Sequence, residues 1–357
     1  MRFAVLASIM ILVAAPNAFG WGEQAHKAVA EVAEQRLTPS TAAKIAHVLG
    51  DGSHLIPGSL AKISMWPDHV RARKDHGTIQ DDWGPEDIAE VDHFNHNHSK
   101  NHLWHFVDLP LGARGYPNLD NVEPSDPVTP FISDDDIVHA LKRCVEIFES
   151  GDTSETFMKV QALQWLVYLA GDLHQPLHIT SGYYDPHGDL ADPKIISDPA
   201  AASADRMIND RGGNGLLFTK SNNLHAVWDA CLAHVLSGGT GCSNNGITED
   251  EVDTLVTKIR EQIQNGKPKN PSGDHHLWPE LWASDSLKVA KGRNLYGLNL
   301  SNGTVQTKKG EQYLQAQIED YKAIRKEYVA AHKSDALKQM ANAGMRLASL
   351  LNNLNCK

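Results

Sequence analysis

Gly171-Asp172-Leu173-His174-Gln175-Pro176-Leu177-His178 is where a long helical pattern stops and the chain turns. Apolar residues recur with helical spacing from about Ser154 to Asp172, and Pro176 cannot continue a helix. Asp172 is therefore delivered at a helix C-terminus, with His178 six residues on and across a forced turn. A carboxylate and an imidazole placed this way can aim at two neighbouring metal ions, so metal-assisted hydrolysis is the first chemistry they suggest.

Outward from this stretch the same periodicity dominates. Gln24 to Arg36 reads as a helix, and Thr38 caps the next one with Pro39 at its first position, where a missing N–H costs nothing. Further helices are expected over about 134–149, 223–236, 249–264, 281–296, 310–331 and 334–354. Trp104 to Asp108 is the best strand signal. The expected class is all-α: one mostly helical domain over 21–357, with long loops around a cleft. Two connections supply those loops. His76 to His102 carries acidic residues and then His93, His96, His98 and His102; Ser181 to Met207 is rich in Asp, Pro, Ala and Ser. Loops of this length inside a compact domain are usually functional or disordered.

Residues 1–20 read as a signal peptide. Arg2 is a minimal basic start, Phe3 to Ala15 is apolar apart from Ser8, and Ala18-Phe19-Gly20 offers small residues to a peptidase cutting before Trp21. The apolar run is shorter than the roughly 20 residues that span a bilayer. No later segment is long and apolar enough to cross one, so the expected product is secreted or periplasmic, monomeric and not membrane-bound. Lys plus Arg number 33 against 44 Asp plus Glu, a net charge of −11. That balance argues against broad electrostatic capture of duplex DNA. Cys144, Cys231, Cys242 and Cys356 form an even set without CxxC spacing. In an exported chain this favours two disulfides, with three connectivities open. Pairing Cys231 with Cys242 across a short Gly- and Ser-rich loop would leave Cys144 to hold Cys356.

The candidate ligands gather by spacing. His225 and Asp229 lie four apart on one helix face, and His178 would complete a three-ligand zinc site with an open position. Asp68 sits in Trp66-Pro67-Asp68-His69-Val70-Arg71, and His105 in Trp104-His105-Phe106-Val107-Asp108. His26 lies one turn into the first helix, five residues after Trp21. An α-amine freed at Trp21 could bind zinc together with its own carbonyl oxygen. Taken singly, each of these is more often an ordinary polar residue; the joint pattern carries the inference.

The ordered motifs Trp21-Gly22-x-x-x-His26, Trp66-x-Asp68-x-x-Arg71, His105-Phe106-x-Asp108, Gly171-Asp172-x-His174-Gln175-Pro176-Leu177-His178, Asp210-Arg211-Gly212-Gly213-Asn214 and Asn223-Leu224-His225-x-x-Trp228-Asp229 resemble the zinc-dependent class I nucleases. That family comprises the fungal single-strand-specific nucleases, the plant bifunctional nucleases and bacterial relatives. Ala343-Gly344-x-Arg346-Leu347-Ala348-x-Leu350-Leu351-Asn352 is similar to its last helix. The resemblance implies the helical fold shared with zinc phospholipase C, and up to three zinc ions. Trp21 and His26 would hold one, His178, His225 and Asp229 a second, and Asp68 with His105 a third, with Asp172 bridging the first and third. It further implies hydrolysis of single-stranded DNA and RNA to 5′-phosphorylated products, with 3′-nucleotidase activity on nucleotides. Arg71 would bind phosphate, Phe106 would stack on a base and Asp108 would bond to its edge, with Asp68, Arg71 and Asp172 as the catalytic set.

One position departs from the family. Where it places a histidine one turn before the bridging aspartate, this chain has Tyr168. Tyr168 could bind as a phenolate, a histidine from the 93–102 group could take its place, or the third site could be weak. The weak site is the expectation here, with fewer than three tightly held ions and a gain of activity for Tyr168→His. Two other classes fit parts of the pattern: a lipid phosphodiesterase of the phospholipase C type, and a zinc-binding exported protein whose catalytic site has decayed.

Overall fold

The structure, a computed structural model, describes residues 21–50, 52, 54–121, 123, 125–150, 157–185, 190–197, 207–219, 222–240, 242, 248–296, 304–308, 311–315 and 321–354. The expected signal peptide, residues 1–20, lies outside them, as does Cys356.

The chain begins with α1 (Glu23–Glu34), whose Ala25, Ala28, Val29, Val32 and Ala33 form a buried stripe of small side chains. In α2 (Pro39–Leu49) the Thr38 side chain accepts from Thr41 N–H, and Gly50 closes the helix at φ 78°. Then come α3 (Ser59–Ile63), α4 (Trp66–His76), α5 (Pro85–Asn97), α6 (Ile137–Ser150) and α7 (Lys159–Asp172). Two small elements follow: α8 (Asp192–Ser197) and the broken helix α9, made of Leu224–Ala226, a π turn over Val227–Cys231 and Leu232–Leu236. Three long helices finish the domain: α10 (Glu249–Gly266), α11 (Trp278–Gly292) and α12 (Tyr321–Asn353).

The centre is α7. From Gln161 to Asp172 every residue except Gln164 is buried, because α6, α1, α4 and α12 all pack on it. Full burial of a side chain such as Leu166 or Leu169 contributes about 1.5–3 kcal/mol. One apolar cluster joins α6 and α7 with Trp104, Phe94 and Trp282; a second joins α1 with Trp228, α10 and α12. Site residues on α1, α4, α7 and α9 are therefore held by rigid neighbours.

Strands are short. Leu109–Pro110 pairs in parallel with Thr180–Ser181, and Tyr183–Tyr184 pairs with Ile208–Asn209. A four-stranded sheet collects Leu216–Thr219, Asn222–Asn223, Thr304–Lys308 and Glu311–Gln315. The all-α class holds, with corrections of detail. Trp104 to Asp108 is not a strand; it follows the 3-10 turn Asn101–Leu103 and hydrogen-bonds to the 178–179 backbone. The 76–102 connection contains α5. Residues 311–315 are strand, not helix, and the two helices expected from 310 to 354 are one, starting at Tyr321. Cys231 and Cys242 are bonded, whereas Cys144 is a buried free thiol, so it does not hold the C-terminal tail. No described helix is long and apolar enough to cross a membrane.

Candidate metal centre

Histidines from α1, from the segment after Leu103 and from the turn after α7 converge on Asp172 at the end of α7. His26 Nε2 lies 3.1 Å from Asp172 Oδ1, and His105 Nδ1 lies 3.5 Å from Oδ2. His26 reaches this place because residue 171 is glycine: a Cβ there would stand 2.9 Å from the His26 ring. Asp172 has no exposed surface, and neither carboxylate oxygen has a hydrogen-bond donor among the described residues. The His26 Nε2, both His105 ring nitrogens, Asp68 Oδ2 and Asp229 Oδ2 are likewise buried without one. Orphaned polar atoms at this density are costly unless something else satisfies them.

The corner formed by His178, His225 and Asp229 shows what that is. His178 Nδ1 lies 2.6 Å from the His105 carbonyl, and His225 Nδ1 lies 2.7 Å from the Gly212 carbonyl. A carbonyl only accepts, so both rings carry their proton on Nδ1 and present a lone pair at Nε2. Those two Nε2 atoms are 3.2 Å apart, and Asp229 Oδ2 is 3.2 Å from that of His225. Two facing lone pairs and a carboxylate call for positive charge between them. Burial holds the His178 pKa well below its usual value. Burial, the largest single influence, also pulls His225 down, but the Asp229 carboxylate, the Gly212 carbonyl and Asp172 together outweigh it and the net shift is upward. Gln175 Nε2 donates to Asp229 Oδ1 at 2.9 Å and fixes its orientation.

Two loops build this corner. Arg211, Gly212 and Gly213 all have positive φ, and a Cβ on Gly212 would lie 2.1 Å from the Leu177 carbonyl. Only glycine lets the backbone come close enough to offer its carbonyl to His225. The π turn then carries Asp229, a distortion frequently found at functional sites. Gly22 N–H donates to the Asp229 carbonyl at 2.7 Å, so Trp21, fully buried beside Trp228, sits against the same turn.

The Asp68 corner differs. Tyr168 O–H donates to Asp68 Oδ1 at 2.7 Å, and its ring stacks on His26 with centroids 4.0 Å apart. Burial, then the Asp172 and Asp68 carboxylates, push the phenol well above its usual pKa, so in the metal-free protein Tyr168 is a neutral phenol and a donor to Asp68. No histidine of the 93–102 group replaces it. His93 and His96 are exposed, His98 packs among Phe94, Trp104 and Phe157, and His102 Nδ1 lies 3.1 Å from Lys74 Nζ.

Burial raises the Asp68 carboxyl to about 7 and the Asp172 carboxyl to about 6, while it lowers His26 and His105 to about 4. The charge of Arg71, a half-buried side chain whose Nε lies 3.6 Å from Asp75 Oδ2, bears on both Asp68 and His105. Phe106 and Asp108 follow His105 and are half-buried. Asp108 is held by Ser181 Oγ at 2.6 Å and Asn209 Nδ2 at 3.1 Å. Sequence reasoning missed Gln175, Ser181, Asn209 and the carbonyls of His105 and Gly212 as positioning groups. His174, at the centre of the opening motif, is structural: Nδ1 donates to Ala170 O, and Nε2 accepts from Arg346.

Buried nitrogen and carboxylate donors, with outer carbonyls fixing the tautomers, fit zinc. The fold thus defines a helical protein that gathers a buried set of side chains able to hold a cation. The S1/P1 nuclease family description matches residues 21–355, and the chain belongs to that family of phosphodiester hydrolases. It is 20% identical to Endonuclease 2 of Arabidopsis thaliana over 98% of this chain and 96% of the relative. It is 22% identical to Endonuclease 4 of the same plant, over 98% and 94%. Nuclease S1 of Aspergillus oryzae is 23% identical over 73% of this chain and 70% of the relative.

Proposed function

We propose that this chain, exported and cleaved before Trp21, is a zinc-dependent phosphodiesterase. Its substrates are single-stranded DNA and RNA, cut to 5′-phosphorylated products, with 3′-nucleotidase activity alongside. The observation that carries this is the pair of Nε2 lone pairs of His178 and His225 facing each other beside Asp229, 3.2 Å apart.

His178, His225 and Asp229 would hold one ion, and Trp21, His26 and Asp172 another. The third position, Asp68 with His105 and Asp172, is weak because Tyr168 brings a neutral phenol where an imidazole nitrogen would complete the set; its hydroxyl takes Asp68 Oδ1 and leaves Oδ2 open. What zinc supplies when bound is a nucleophilic water at neutral pH and charge to offset the phosphate. The protein's own groups do the rest. Arg71 offers a fork of donors to phosphate oxygens. Phe106 gives a face on which any base can stack, and Asp108, braced by Ser181 and Asn209, accepts from the base edge. A duplex hides its base faces, so stacking selects single strands.

The test is hydrolysis of single-stranded DNA, compared with phosphatidylcholine, by protein with a verified Trp21 terminus and known zinc content. Turnover of the nucleic acid alone supports the proposal. Turnover of the lipid, or none with zinc in excess, overturns it.

A further inference from the structure

Glu149, His275 and His276 form a second cluster, and it shares no residue with the cleft. Glu149 is near the C-terminus of α6. His275 and His276 open the 3-10 turn His275–Leu277 that leads directly into α11. One imidazole faces each carboxylate oxygen: His275 Nε2 lies 3.2 Å from Oε1 and His276 Nε2 3.2 Å from Oε2. The two rings stack with centroids 4.3 Å apart at 30°.

We propose that this cluster is a divalent transition-metal site of the zinc class that staples α6 to the start of α11. Ligand atoms around a tetrahedral zinc, each roughly 2.0–2.2 Å from it, stand about 3.3–3.5 Å from one another. The two observed nitrogen-to-oxygen spacings of 3.2 Å, one to each oxygen of Glu149, are near that edge, and one ligand atom from each residue lies within 4.8 Å of the others, so an ion is admitted by closing the set around one carboxylate oxygen. The backbone is set as well, because Asp274 caps the turn by accepting from His276 N–H at 3.0 Å. Asp274 Oδ1 also lies 3.9 Å from His275 Nδ1, on the ring edge away from Glu149. A carboxylate on that side favours the proton at Nδ1 and leaves Nε2 as the donor atom. The side chains of Glu149, His275 and His276 are 16%, 18% and 43% exposed, which leaves a way in for the ion and a coordination position for water. The same two helices are joined by Lys142 and Glu280, and a bound ion would add a second tie.

The experiment titrates the full protein, its cleft already loaded, with zinc by equilibrium dialysis, and repeats the titration with cobalt read by visible absorption. Wild type is compared with His276→Ala and with the near-isosteric Glu149→Gln. Wild type should take up one equivalent more than either variant, with a tetrahedral cobalt spectrum and a zinc-dependent rise in thermal midpoint that both variants lose. Both variants should cleave single-stranded DNA at the wild-type rate. Equal zinc uptake by all three proteins would overturn the proposal and show that the histidines only hydrogen-bond to Glu149. His225→Ala separates this site from the cleft: it should lose cleft metal and keep the peripheral equivalent.

Discussion

Two corners of one cleft use similar side chains to opposite ends. Around His178, His225 and Asp229, every ring proton and one carboxylate oxygen already have a partner, and the atoms left over face one another. Around Asp68 and His105, the Tyr168 hydroxyl takes Asp68 Oδ1 at 2.7 Å and leaves Oδ2 open, but the neighbour it places beside that oxygen is a neutral phenol and not a ligand nitrogen. The lesson is that ligand identity is half of a metal site. The other half is which atoms the surroundings have already satisfied.

The comparison can be broken most severely from the prepared side. His225→Ala should cut hydrolysis of single-stranded DNA by roughly a thousandfold or more, with one zinc equivalent lost by metal analysis. Gln175→Ala removes the amide that steadies Asp229 and also accepts from Leu177 N–H at the start of the turn carrying His178. A loss of about 10- to 100-fold in zinc affinity is expected, measured by competition with a chelator. Acid should act next. In the metal-free protein Asp172 and Asp68 hold protons up to about 6 and about 7. Zinc must displace those protons, whereas His26 and His105, near 4, are already neutral. Affinity should therefore fall as pH drops from 7 to 5, by about tenfold per unit for each proton displaced. Affinity independent of pH over that range would exclude the two carboxylates as ligands.

The smallest effect tests the blocked side. Tyr168→His should admit a further ion with about tenfold higher affinity than wild type and raise activity. Tyr168→Phe, which frees Asp68 but adds no nitrogen, should gain no ion. Three zinc equivalents in wild type would need the peripheral cluster removed by His276→Ala before being assigned to the cleft.

Much of this was legible beforehand. Thr38 with Pro39 marks a helix start through a bond that is present as expected, and the helix expected over 249–264 forms behind a Thr248–Glu251 capping box. His225 and Asp229 keep their four-residue relation even through a π turn. The α5 helix was hidden because only Val91 and Phe94 on it are buried, too few to draw an apolar stripe through its acids and histidines. Trp104 to Asp108 resembled a strand because of its bulky residues, yet its backbone bonds are scattered: Val107 N–H donates to His178 O and Phe106 O accepts from Ile137 N–H, with no ladder between them. Residues 311–315 follow a strand rich in Thr and Val, and pair with it and with Leu216–Leu217, a long-range choice that local periodicity does not encode. The carbonyls that set the tautomers were invisible for a plainer reason: every residue has one, and only the fold decides where it points.

The bond from Gly22 N–H to the Asp229 carbonyl joins residues about two hundred apart, and such non-local closure comes late in folding. A chain growing from its N-terminus carries His26 and Asp68 well before Asp172, and Asp172 before His225 and Asp229. On the proposed ligand set, high affinity for zinc would be a property of the finished domain, and metal uptake would report that the last segments have docked.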